Sequence, residues 1–268
     1  MTSIISFERL ATSISVGLTG LGLIAAGATP LAARETPCMA ERIDEGRVGA
    51  IIDARTLRLQ DGREVRLAGV EDAVSGLAAS PAQRTALEHL AGGRDIVLRG
   101  PPNPDRYGRI VAIAFIQGQD RSIQAQMIED GHLVVTAAIE DEDCASYLRR
   151  GEARARRAKR GVWAEPAAIK NTEMPGDILA MVGQFIVAEG RVQSVREAGA
   201  TLYINFGRRW TQDFAVTIPR RNMAAFEAAG IPLKSLERRR IRVRGWVEQR
   251  GGPRIHASWT GQIEVVGN

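Results

Sequence analysis

The chain has 268 residues, 44% of them hydrophobic and 25% charged. That is enough for one large domain or two small ones, and too rich in both classes for a chain disordered throughout. The net charge of +5 favours an anionic partner without naming one, and two cysteines without C-x-x-C spacing, Cys38 and Cys144, argue against a zinc module.

In chain order, residues 10–33 carry no charge and end in Pro-Leu-Ala-Ala. This reads as a signal peptide over 1–33, cleaved near Ala33, which implies export to a periplasm or the medium. The alternative is a retained anchor, since the run is long enough to span a membrane. Apolar alternation predicts strands at 47–53, 56–60 and 63–70, with Asp61-Gly62 as a hairpin turn. Helical spacing follows at 81–90, ended by Gly92-Gly93, then strands at 95–100 and 109–116. Helices are expected at 123–132 and, strongly basic, at 144–159.

Residues 164–182, with Pro166, Pro175 and Gly176, read as a linker. Beyond it, 185–195, 200–207 and 214–218 read as strands, 219–230 as a helix, and 239–249 and 263–266 as strands. The expected fold class is therefore α+β, with helices packed on β-barrels. Two tandem five-stranded barrels of the OB type would occupy 45–163 and 183–268. The charge divides unevenly between them: 183–268 holds fourteen Lys/Arg against seven Asp/Glu, while the chain before it is slightly acidic.

Three stretches of the first barrel carry a resemblance: IIDARTLRLQDGREVRLAGV, DRYGRIVAIAF, and LRRGEARARRAKRGVW. Together they resemble the staphylococcal (thermo)nuclease family over 45–163. The D-x-Y-G-R motif at Asp105–Arg109 is the most specific, followed by the E-A-x-A series that ends at Trp163. The resemblance implies phosphodiester chemistry. Two arginines would grip the phosphate, calcium would sit on carboxylates, and a glutamate would activate water.

Carried over position by position, the phosphate arginines fall on Arg66 and Arg109, both retained. The first metal aspartate falls on Arg55, and the second metal carboxylate falls on Glu71. The general-base position is held by Val74, and the proline before it by Ala73. The phosphate-binding part of the site is thus present, while the metal and base part is not. No general base is expected, and Glu71 is at most a weak metal ligand. A cation at Arg55 would repel calcium and could instead complement a phosphate. The bland readings are structural ion pairs for Arg66 and Arg109 and a solvated turn for Arg55.

Cys38 and Cys144 flank this barrel, and in an oxidising compartment a bridge between them would tie the N-terminal arm to the last helix. In the second barrel, Arg240, Arg242, Arg244 and Trp246 share one face of a strand, and Arg208 and Arg209 sit beside Trp210 in a loop. A basic face with aromatic platforms suits single-stranded nucleic acid. The bland reading is a solvated charged face. No dinucleotide fingerprint or nucleophile triad is visible.

The expected function is an exported nuclease-like protein that binds nucleic acid or another phosphodiester without the family's hydrolysis, and without a cofactor. One alternative is an active phosphodiesterase with a rebuilt site, calcium being its cofactor. Another is a non-catalytic envelope scaffold or an oligosaccharide-binding barrel. Nothing in the pattern fixes an oligomeric state.

Overall fold

A computed structural model describes residues 38, 40–72 and 81–267. The proposed signal peptide at 1–33, and Ala73 and Val74, lie outside the described residues.

The first sheet is built from β1 (Arg42–Asp53), β2 (Thr56–Leu59), β3 (Glu64–Leu67), β5 (Asp95–Arg99) and β6 (Ile110–Ile116), with the short β4 (Val70–Asp72) lying between β3 and β5 in the chain. It closes into a barrel in the order β1-β2-β3-β6-β5. Only β3 and β6 run parallel. Strand β1 serves both edges: its first half pairs with β5, its second with β2. Period-2 alternation drives the closure, because Leu57, Val65, Leu98 and Ala112 point inward and are fully buried.

Helix α1 (Pro81–Ala91) packs on β1, while α2 (Ile123–Glu129) and α3 (Glu142–Arg157) pack on each other. Ser122 caps α2 by accepting the Ala125 N–H at 3.1 Å, and Asp141 caps α3 through the Cys144 N–H at 3.0 Å. Acidic residues open α3 and arginines close it, as the helix dipole favours. Strand β7 (Leu133–Val135) pairs antiparallel with β4. The chain leaves α3 through Gly161, whose φ of 52° is costly for any side chain. A Cβ there would lie 2.4 Å from the Gly131 carbonyl oxygen, so the glycine is required by this close approach. Cys38 and Cys144 are joined by a disulfide, with Cα atoms 4.5 Å apart.

The stretch read as a linker contains β8 (Ile169–Asn171) and α4 (Pro175–Leu179). The second sheet adds β9 (Phe185–Arg191), β10 (Ser194–Ala198), β11 (Thr201–Asn205), β12 (Ala215–Pro219), β13 (Arg240–Arg250), β14 (Gly252–His256) and β15 (Ile263–Val265). Helix α5 (Arg220–Ala228) follows β12. The strand order is β10-β11-β12-β14-β13-β9-β8, with β15 on β13. Only Val192 and Gln193 separate β9 from β10, so the chain itself links two members of this path.

Two expectations are corrected here. The second sheet has eight strands, not five, because β8 adds parallel to β9, the stretch 185–195 divides into β9 and β10, and β14 lies between β12 and β13, while β15 is the strand expected at 263–266. The strand after β13 is β14, not 263–266. It turns back through Gly251 at φ 77° and pairs antiparallel with β13 and parallel with β12.

The residues described from Cys38 onward belong to one compact unit. An apolar cluster of Val134, Ala155, Trp163, Phe185 and Val187 joins the first barrel to the second sheet. Beside it lies a buried ion pair. Arg244 of β13 donates to both carboxylate oxygens of Glu152 on α3, each at 2.9 Å, and to the Val135 carbonyl at 2.8 Å. Glu152 also accepts the Val135 N–H at 2.7 Å and Arg156 at 3.0 Å. The C-terminal motif of the first barrel is thereby explained: its glutamate and tryptophan serve this junction, and its glycine allows the close approach to Gly131.

Candidate functional site

The D-x-Y-G-R segment organises itself around one carboxylate. Asp105 Oδ1 accepts the N–H groups of Tyr107 at 2.9 Å and Arg109 at 3.0 Å, which shapes the turn. Its Oδ2 accepts Arg109 Nε at 2.9 Å and Nη2 at 2.7 Å. These bonds hold the Asp105 carboxyl below its ordinary value and the Arg109 guanidinium above its own. The ring of Tyr107 is exposed, with the Arg106 and Arg109 guanidinium carbons 4.7 and 5.1 Å from its centre.

Arg66 projects from β3, whose parallel pairing with β6 puts it one strand from Arg109. Its Nη1 donates to Thr56 Oγ1 at 2.8 Å and approaches Asp53 Oδ2 at 3.4 Å. Burial depresses the Arg66 guanidinium, and the neighbouring charge of Arg55, with a smaller effect from Arg109, adds to this. Arg55 and Arg109 are therefore both near enough for their charges to bear on Arg66.

Arg55 occupies the two-residue turn between β1 and β2, where its N–H bonds Asp53 Oδ1 at 2.9 Å. It does not face water. Its side chain is 12% exposed and forms an ion pair with Glu71 of β4, itself 13% exposed. Arg55 Nη1 also lies 3.3 Å from the Val70 carbonyl. Burial raises the Glu71 and Asp72 carboxyls, and Arg55 only partly offsets it. Asp72 Oδ1 and Arg55 Nε are buried, lack hydrogen-bond partners and stand 3.8 Å apart. A guanidinium thus sits among Asp53, Glu71 and Asp72. Among the described residues, no three His, Cys, Asp or Glu side chains come together as a metal-ligand set. A divalent ion on Glu71 would lie against a buried cation, so these residues do not fit calcium.

The proposed nucleic-acid face of β13 requires a correction. Its residues share one side of the strand, but the two central arginines are buried, Arg244 against the first barrel and Arg242 against carboxylates of its own sheet. Arg244 is 3% exposed and held by Glu152. Arg242 is also buried, donating to Glu189 at 2.6 Å and Glu264 at 2.8 Å. Arg240 is exposed but bonded to Glu189 at 2.6 Å. Trp246 is about half exposed and stands edge-on to Phe185, with ring centres 6.0 Å apart. Strand alternation identifies a face but not what covers it. Arg208 and Arg209 do lie in an exposed turn, between β11 and β12.

A sequence model of the family described as Staphylococcal nuclease homologue matches residues 78–165. The matched stretch contains Asp105–Arg109, α3 and Trp163, whereas Arg55, Arg66, Glu71 and Val74 precede it. This match supports a staphylococcal-nuclease-like domain at residues 78–165.

Proposed function

We propose that this protein is an exported phosphodiester-binding member of the nuclease-like group, a tandem of OB-type barrels that grips nucleic acid at Arg66 and Arg109 and has given up calcium-dependent hydrolysis. The observation that carries this reading is the ion pair of Arg55 with Glu71. It uses the remaining acidic ligand of the family pattern and puts a fixed positive charge where the metal would act. The valine at position 74 removes the base that would activate water.

The two phosphate arginines are pre-positioned by Asp105, Thr56 and Asp53. Phosphate entry would exchange the Asp53 and Asp105 contacts for anionic oxygens, a replacement that a guanidinium fork makes without changing its geometry. The Cys38–Cys144 bridge suits an oxidising compartment and supports the reading of the first 33 residues as an export signal. The path of the second sheet supports its description as an OB-type barrel, with β9 and β10 taken together as one of five strands and β8 and β15 added.

The test is binding of fluorescein-labelled single- and double-stranded oligonucleotides in EDTA across a salt series. The expected result is affinity that falls steeply with salt, and a slope reduced by about one for Arg66→Ala and for Arg109→Ala. Binding that ignores salt, or that neither variant alters, would overturn the phosphate grip.

A further inference from the structure

The outward face of the second sheet, remote in sequence from the nuclease-like site, presents a cavity of about 330 Å³ lined by Tyr203, Thr217, Glu248, Arg250, Arg254 and His256, with Thr201 at its edge. We propose that this cavity is a second binding site, for single-stranded nucleic acid. One nucleotide's base would lie on Tyr203, and its phosphate would lie against Arg254 and Arg250. The inference stands independently of the Arg66–Arg109 reading.

Register places the participants. Arg196 of β10 pairs with Tyr203 of β11, Tyr203 with Thr217 of β12, and Thr217 with His256 of β14. Directly paired residues share a face, so these four form one row across four strands. The alternate residues Leu202, Ile204, Val216, Ile218 and Ile255 fill the core and fix the row outward. Arg254 lies in the next row, opposite Glu248 of β13.

The chemistry of this face differs from that of the cleft between α3 and the second sheet. That cleft is larger, at about 430 Å³, but its Arg149, Arg156 and Arg244 each meet a carboxylate, and its Arg150 donates to Ser146 Oγ at 2.6 Å. On the outward face, Arg196 and Arg250 form no ion pair among the described residues. Arg254 is largely buried, with its side chain 17% exposed, and its Nε has no hydrogen-bond acceptor. The closest approach to Glu248 is 3.6 Å, beyond a hydrogen bond. Three arginines therefore face one carboxylate, and a buried donor lacks an acceptor, which favours an incoming anionic oxygen.

The partly exposed ring of Tyr203 offers a flat stacking surface next to those cations, and a nucleotide supplies both an anion and a flat ring within one unit. The base must be unstacked to reach the ring, so a single strand is required rather than a duplex. The turn carrying Arg208, Arg209 and Trp210 packs its backbone on the β13–β14 hairpin, where a Cβ on Gly252 would come 2.6 Å from the Asp213 carbonyl oxygen. That turn brings further cations and an exposed indole to the same edge.

The test uses the full-length chain and fluorescein-labelled oligothymidylate of about ten nucleotides, read by fluorescence anisotropy in EDTA, within the usual span of one barrel. Tyr203→Ala is expected to weaken binding about tenfold or more and Tyr203→Phe to restore it, the signature of stacking. Arg254→Ala is expected to weaken binding and reduce the salt slope by about one. Circular dichroism melts identify any variant that fails to fold, and Arg250→Ala, at an exposed position, gives an independent reading of the same contact. Unchanged affinity in Tyr203→Ala with full loss in Arg66→Ala would overturn this site and leave the nuclease-like grip standing. Loss in Tyr203→Ala with no change in Arg66→Ala or Arg109→Ala would do the reverse. Equal competition by unlabelled heparin with no effect of Tyr203→Ala would mean charge alone, and would overturn the nucleotide assignment.

Discussion

Arg244→Ala should loosen the junction between the barrel and the second sheet. The substitution removes both bonds from Arg244 to Glu152 and the bond to the Val135 carbonyl. Glu152, 1% exposed, would keep only Arg156 and the Val135 N–H. Breaking a buried pair by removing one partner costs about 3–5 kcal/mol. Arg156 remains to compensate, so the expected loss is near the lower end, about 3 kcal/mol. Glu152→Met strands Arg244 and should cost at least as much. The double variant Glu152→Met/Arg244→Ala should cost less than the two singles together, with the remainder traceable to the unpaired groups of Val135.

Urea denaturation of the four proteins gives the coupling energy directly. The pH dependence carries a second signature. Burial alone would raise the Glu152 carboxyl, but Arg244, the Val135 N–H and Arg156 hold it below the unfolded value of 4.5. The stabilisation is therefore complete above pH 4.5 and is lost as pH falls through the lower folded value. Singles that each cost under about 1 kcal/mol and simply add would refute the reasoning, because surface pairs behave that way.

Two further outcomes are expected. Reducing the Cys38–Cys144 bridge, which spans a sequence separation of 106, should lower stability by about 2–5 kcal/mol, read as a drop in urea midpoint with and without dithiothreitol; an unchanged midpoint would remove the disulfide from the account. Arg55→Asp should place a carboxylate beside Asp53, Glu71 and Asp72, so that calcium raises the variant's Tm and leaves the wild type unchanged. At a hundredfold excess over Kd the gain is about 2.7 kcal/mol, and a calcium-dependent rise in the wild type would contradict the displaced-metal reading.

The first barrel was legible because its strands alternate cleanly and its turns carry glycine and aspartate where chain reversal needs them. The D-x-Y-G-R motif was legible for the same kind of reason, since its aspartate builds the turn and holds the arginine through local bonds. Strand β14 was hidden by Gly251-Gly252-Pro253, which reads as a loop, although Gly251 makes the hairpin turn and the strand begins at Gly252 with the proline inside it. The fate of Arg242 and Arg244 was hidden for a different reason. Alternation assigns a face from local sequence, but Glu152, which covers Arg244, lies 92 residues away. Glu152 was similarly visible only as a helix residue with local arginine neighbours. The polar row through Tyr203 and His256 was present in the sequence as single residues on four strands, and only the sheet order brings them together.

The most direct test of the central claim is a nuclease assay on single- and double-stranded DNA and RNA, with calcium, magnesium, manganese or EDTA, and with Arg109→Ala as control. The account predicts no metal-dependent cutting of any substrate, while salt-dependent binding persists in EDTA. Metal-dependent cutting that disappears in Arg109→Ala would contradict it, and would mean that carboxylates around Arg55 rebuild a catalytic metal site.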